Sequence, residues 1–168
     1  MLRSIRETAP VFLVPLAWLV VAGAHLEMVS DQAMFIAHLV MAAFIAFFLT
    51  TGWSAMDDGA LAGWRAVMVV GLGLTLAGIG GFVLPNEALL ALSLVGWMAL
   101  PAAGLAYTGL ELPAARRQYV GGAVLTLLGA GLYLASLAGF VGQSLALGAI
   151  ALVGVGQTVG IVDGTLRG

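Results

Sequence analysis

The chain has 168 residues, 62% hydrophobic and 8% charged, with a formal net charge of −2, six arginines, no lysine and no cysteine. A charged share so far below the usual quarter excludes a water-soluble globule, and arginines scattered singly or in pairs exclude a nucleic-acid stripe and a polybasic lipid-binding patch. The lack of cysteine excludes disulfides, iron–sulfur ligation and thiolate chemistry, and it leaves the redox compartment open.

An amphipathic start carrying Arg3, Arg6 and Glu7 leads into a first apolar run, residues 11–29. That run is span-length and meets acidic residues where a cleavage site would need small ones, so it is expected to be a retained helix and not a signal peptide. It exits at Ser30, Asp31 and Gln32, and a second span, 33–55, returns to a polar loop with Asp57, Asp58, Trp64 and Arg65. Trp53 and Trp64 read as interface anchors. A third span, 66–84, stops at Pro85 and Asn86; a fourth, 87–110, contains Pro101, where a kink is expected. Beyond Glu111, Pro113, Arg116 and Arg117 come spans 119–140 and 144–162, then a short tail with Asp163 and Arg167. Threading these runs through a bilayer puts Arg3, Arg6, Arg65, Arg116, Arg117 and Arg167 on one side. The positive-inside rule then predicts an all-α, polytopic protein of the cell membrane. It has six transmembrane helices as three consecutive antiparallel hairpins, both termini cytoplasmic, in one domain, 1–168, with no soluble part.

A shift of 58 residues lays the third span on the fifth, pairing Gly71, Gly73, Leu74, Leu76, Ala77, Gly81, Phe82 and Val83 with Gly129, Gly131, Leu132, Leu134, Ala135, Gly139, Phe140 and Val141. Leu94, Val95 and Gly96 then fall on Leu152, Val153 and Gly154. This reads as a parallel repeat of helix hairpins; the alternative is that a small alphabet of Gly, Ala, Leu and Val generates such matches by chance. The 24 glycines are expected to serve close helix packing, and Gly156, Gly160 and Gly164, four apart, form a small face for an internal contact or a homo-oligomer seam.

One cluster carries a chemical expectation. His25 and His38 should lie at nearly the same depth, a little over one turn below the outer surface, on helices joined by a short turn. Met28 follows His25 by three residues, and Met34 and Met41 flank His38 at helical spacing, so imidazoles and thioethers could converge. That soft donor set suits Cu(I) or, through axial positions alone, haem iron, and an intramembrane histidine is costly enough to prompt a functional hypothesis. The candidate metal ligands are His25, His38, Met28, Met34 and Met41, with Glu27 and Asp31 as acceptors that orient an imidazole N–H. Copper fits better than haem, because hairpin helices about 8–10 Å apart are too close to flank a macrocycle. The alternatives are that methionine fills gaps in an apolar core while histidine reaches water or a neighbouring helix, or that the pair lines a proton or solute pathway.

The other intramembrane polar residues, Thr75, Ser93, Thr126, Tyr133, Ser136, Gln157 and Thr158, are expected to hydrogen-bond other helices for about 0.6 kcal/mol each. No Ser/His/Asp arrangement, metalloprotease helix or phosphate-cradling loop occurs, so an enzyme is not expected. The leading expectation is a non-enzymatic subunit or assembly factor whose outer His/Met cluster binds copper or haem, with the bilayer and a membrane complex or a second copy as partners. The alternatives are a small-solute channel or transporter built from repeated hairpins, and a purely structural bundle.

Overall fold

The ends of the helices follow from local chemistry. The computed structural model describes the backbone of residues 2–142 and 144–167, and the side chains of residues 12–142, 144–160, 162 and 163. Six helices run in chain order: α1 (Leu2–His25), α2 (Asp31–Gly52), α3 (Gly59–Val83), α4 (Glu87–Glu111), α5 (Arg116–Leu137) and α6 (Ser144–Arg167), with short 3₁₀ turns at Trp53–Met56 and Pro113–Ala115. There is no strand among the described residues. Ser30 caps α2 by accepting from the Ala33 N–H, and Asn86 caps α4 by accepting from Leu89. Asp31 and Glu87 follow in the first turns, where the helix dipole favours negative charge. α5 closes on Gly139 at φ 76°, the left-handed position that glycine takes without cost. α1 closes in the same way but with Glu27 at φ 58°, as the Met28 N–H reaches back to Gly23 O (2.9 Å) and the Glu27 N–H to Ala24 O (3.0 Å).

These boundaries correct several expected ones. Residues 26–29, expected inside the first span, form its closing turn, and α3 starts at Gly59, which takes Trp64 and Arg65 out of the expected loop. α4 runs unbroken through Pro101. The side chains of Arg3, Arg6, Glu7 and Arg167, and the packing of Gly164, lie outside the described residues.

Four stretches are long and apolar enough to cross a bilayer, Asp31–Met56, Gly59–Val83, Glu87–Glu111 and Pro113–Leu137, as befits a helical membrane protein. α1 and α6 contribute shorter apolar stretches among the described residues, Phe12–His25 and Ser144–Gly160.

Glycine decides which helices touch. α3 and α4 pack antiparallel, with Gly81 against Leu90, Gly78 against Ser93, Gly71 against Trp97 and Gly63 against Tyr107. α5 and α6 approach until Gly122 and Gly156 each present the Cα to the other's carbonyl; a Cβ on either would lie 2.6 Å or 2.7 Å from that oxygen. Such contacts bring backbone dispersion and weak Cα–H···O bonds into play where no hydrophobic drive exists between helices. Gly156 and Gly160 therefore pack inside the chain, Gly160 against Leu105 and Tyr119.

The first two helices depart from an expected closed hairpin. α1 packs chiefly on α6 and α2 on α3, while α1 and α2 meet only slightly. The reason lies in their surfaces: Gly154 on α6 leaves room for the Trp18 side chain, 3.2 Å from where a Cβ would sit, whereas α2 has no glycine before Gly52 and is crowded with phenylalanine. Only 6% of the apolar window of α2 is buried, against 28% to 33% for α3, α4 and α5, so most of α2 is left to lipid.

Because α3 and α5 both begin where α4 finishes, Arg65, Arg116 and Arg117 share one end of the bundle, and Glu27, Asp31 and Glu87 lie at the other. Arg65 pairs with Asp57 and lies over the ring of Trp53, 4.9 Å from its centroid.

Neighbouring glycines in α3 provide a test of this packing. A Cβ at Gly71 would lie 2.4 Å from the Trp97 ring, whereas at Gly73 nothing lies within 4 Å. Gly71→Ala should cost about 1–3 kcal/mol by overpacking, and Gly73→Ala should be neutral or gain up to about 1 kcal/mol in helix propensity. Equilibrium unfolding of both variants in mild detergent checks the contrast.

Candidate functional site

The buried polar groups of this bundle start from a missing donor. Pro101 has no N–H, so the carbonyl one turn earlier, Trp97 O, loses its bond within α4. Gln157 of α6 supplies a substitute, its Nε2 donating to Trp97 O at 3.1 Å, while its Oε1 accepts from Trp18 Nε1 of α1 at 2.9 Å. An indole only donates and a carbonyl only accepts, so the orientation of the Gln157 amide is fixed by its partners. Trp97 Nε1 donates in turn to Thr75 Oγ1 at 3.0 Å, and Thr75 to Gly71 O at 2.9 Å. The result is a buried polar belt across α1, α6, α4 and α3, with Gln157 only 5% exposed.

A second clasp repeats the last step in reverse. Trp64 of α3 donates to Thr108 Oγ1 at 3.0 Å, and Thr108 donates to Gly104 O at 2.8 Å, while Trp64 lies over Gly104. Tryptophan, glycine and threonine thus recur at one spacing, Trp64, Gly71 and Thr75 in α3 and Trp97, Gly104 and Thr108 in α4, a shift of 33 residues between antiparallel helices. Each helix gives its Trp to the other's Gly and Thr. The shared spacing is visible in the sequence but was not among the expected signals, and Trp64 turns inward where an interface anchor was expected. In the 58-residue alignment, by contrast, paired positions face different neighbours: Gly96 lies against Leu74 of α3, and Gly154 against Trp18 of α1.

The two histidines share an anchoring device and then part. Each is bonded at Nδ1 to the carbonyl one turn before it, His25 to Val21 O at 3.0 Å and His38 to Met34 O at 2.8 Å. A carbonyl only accepts, so the proton is on Nδ1, and in the neutral ring Nε2 becomes an acceptor. At His25 that acceptor is filled by the hydroxyl of Tyr133 on α5, 2.8 Å away, in a side chain only 4% exposed. His38 lies instead against α3, on Gly78, with its ring edge-on to Phe82 at 5.3 Å. The two rings are therefore engaged with different helices. Met28 is 78% exposed, Met34 and Met41 are half-buried, and Glu27 and Asp31 have exposed side chains at the turn. No group of three or more His, Asp or Glu residues that could hold a metal ion occurs among the described residues.

Two further features complete the inventory. The hydroxyls of Ser93 and Thr126 are buried with no hydrogen-bond partner among the described residues. An almost wholly apolar groove of about 720 Å³ runs between α1 and α6, from Pro15 and Trp18 to Val162 and Asp163, and Gln118 of α5 also lines it; it contains neither histidine. No protein-family model matches this chain, and neither a curated protein nor a solved structure does.

The belt makes a quantitative expectation. Gln157→Leu strands both Trp97 O and the Trp18 indole N–H in an apolar setting, at about 1–3 kcal/mol for each unsatisfied group. The Trp97–Thr75 bond alone should show a coupling of about 0.6 kcal/mol in a Trp97→Phe/Thr75→Val double-mutant cycle. Unfolding in detergent should therefore show a loss for Gln157→Leu well above the coupling measured in that cycle.

Proposed function

We propose that the chain is a non-enzymatic integral subunit or assembly factor of the cell membrane, crossing the bilayer six times with both termini cytoplasmic. The observation that carries this reading is where the buried polar groups spend their hydrogen bonds. Trp18, Gln157, Trp97 and Thr75 bond across helix interfaces, as do Trp64 with Thr108 and His25 with Tyr133. Bonds of this kind fix the relative positions of helices and leave their donors and acceptors unavailable to a substrate. The common end of Arg65, Arg116 and Arg117 supports the orientation, and the 24-residue lengths of α1 and α6 support two further crossings. Its partners are the bilayer and another membrane protein or a second copy.

The outer His/Met cluster enters this reading in reduced form. Copper at the five residues His25, His38, Met28, Met34 and Met41 would require His25 to give up Tyr133 and α1 to approach α2. His38, with Met34 and Met41 on its own helix, is the part that needs neither change. Copper and iron analysis of protein purified without chelator, beside His38→Ala, tests it. Stoichiometric metal lost in the variant would support a metal-handling subunit, and metal-free protein after copper and haem reconstitution would remove metal from the proposal.

A second reading, a small-solute channel or transporter, is favoured by the reversed Trp–Gly–Thr clasp of α3 and α4, since inverted repeats are a common plan for transporters. Flux of small polar solutes in proteoliposomes would support it against the subunit reading. The topology has its own test, because the chain contains no cysteine and single introduced thiols report cleanly. Cysteines replacing Gln32, Asn86 and Gly142 should react with an impermeant maleimide from outside intact cells, and those replacing Asp58 and Ala114 only after permeabilisation. Labelling of both sets from one side would sink the six-span arrangement.

A further inference from the structure

The groove between α1 and α6 is apolar along its length and polar at one end. On α6 it runs from Leu147 to Asp163, about 24 Å of helix at about 1.5 Å per residue. Thr158 lines it but has no hydroxyl to spare, because that group donates to Gly154 O at 2.6 Å. The other two polar residues share one level. Where α5 and α6 run antiparallel, Gly122 packs on Gly156 and Tyr119 on Gly160, so Gln118 comes beside Asp163. This is the end of the bundle that Arg65, Arg116 and Arg117 share, and the exposed Arg116 and Arg117 directly precede Gln118.

Dimensions narrow the choice of occupant. A volume of about 720 Å³ over about 24 Å gives a mean cross-section of about 30 Å², whereas a helix with its side chains is about 10–12 Å across. The groove is therefore wide enough for a hydrocarbon chain and too narrow to seat a helix of another protein. Hydrocarbon is also what the bilayer supplies, and it recovers the dispersion contacts that an unfilled apolar groove would forfeit. The length exceeds the roughly 15 Å of hydrocarbon in one leaflet, so a chain lying here is held straighter than a free one.

We propose that the groove holds one acyl chain of a phosphatidylethanolamine molecule whose headgroup lies at Asp163 and Gln118. The charges select the headgroup. A carboxylate calls for a cation with N–H donors, and the amide of Gln118 with the arginines next to it calls for a phosphate. Ethanolamine carries both an ammonium and a phosphate; choline has no N–H donor, and glycerol has no cation. Asp163 has an interaction of its own, but a carboxylate accepts at about four sites, so the ammonium joins the partner already there. The bound lipid is then part of the surface that α1 and α6 present to any neighbour. This inference goes beyond the subunit reading and holds equally for a transporter.

Native mass spectrometry of the full chain in mild detergent tests groove and headgroup together. The protein is offered equimolar phosphatidylethanolamine, phosphatidylcholine and phosphatidylglycerol with identical acyl chains. The wild type should retain one lipid, with the ethanolamine favoured about threefold, as an ion pair at the membrane interface allows. Ala151→Phe, at an exposed position of the groove wall, should displace lipid of every headgroup, whereas Val69→Phe, on an exposed face of α3 outside the groove, should keep it. Asp163→Asn should keep a lipid and lose the preference. Wild type without lipid, or lipid that Ala151→Phe retains, overturns the groove. No preference in the wild type, or the same preference in Asp163→Asn, overturns the headgroup. A quinone, another polypeptide or a second copy bound in place of phospholipid overturns the proposal as a whole. If Ala151→Phe fails to fold, Val155→Phe on the same wall decides.

Discussion

A single carbonyl, Trp97 O, organises the middle of this bundle. Pro101 removes its helical donor in a setting where no water can replace it, and a backbone oxygen left bare in lipid would cost several kcal/mol. Gln157 meets it, and because the other end of that amide holds Trp18, the repair of one helix becomes the attachment of two more. Trp97 then passes the link to α3 through Thr75. Hydrophobic burial, which would hold a soluble protein together, gives little drive between helices in lipid, so a few such bonds and the close glycine contacts carry the specificity.

The glycines and the polar residues act jointly. A tryptophan reaches the threonine opposite because the glycine one turn before that threonine has no side chain to hold the indole away, at Gly71 for Trp97 and Gly104 for Trp64. Gly78 does the same for His38 and Ser93. Small residues in this protein thus serve less as hinges than as openings through which polar side chains reach across an interface.

How much of this was legible beforehand depends on the residue. The membrane class and the helical runs follow from hydropathy, and the general expectation that the intramembrane polar residues bond other helices is met by Thr75, Tyr133 and Gln157, whereas Thr158 turns back on its own helix and Ser93 and Thr126 have no partner among the described residues. The pairing of helices was not legible, since loop lengths alone made α1 and α2 a hairpin while the surface of Gly154 drew α1 to α6. The expected convergence of His25 and His38 rested on that hairpin, so its members were assigned to one place when their rings face different helices. The role of Gln157 was readable only in combination with Pro101, because neither residue alone says which carbonyl is in need. The spacing shared by Trp64, Gly71, Thr75 and Trp97, Gly104, Thr108 lay in plain view, but across antiparallel helices, where a search for parallel copies does not find it.

The meagre burial of α2 bears on how the protein is made. A helix this apolar, with Ile36, Leu39 and Val40 facing outward, is at home in the bilayer before any neighbour arrives, so it is expected to leave the translocation machinery alone. α6 is in the opposite position: the Gln157 amide finds both of its bonds only when α4 and α1 are at hand. Quality control is therefore expected to act at the docking of α6 on α4 and α1, with an unsatisfied glutamine marking a bundle not yet assembled.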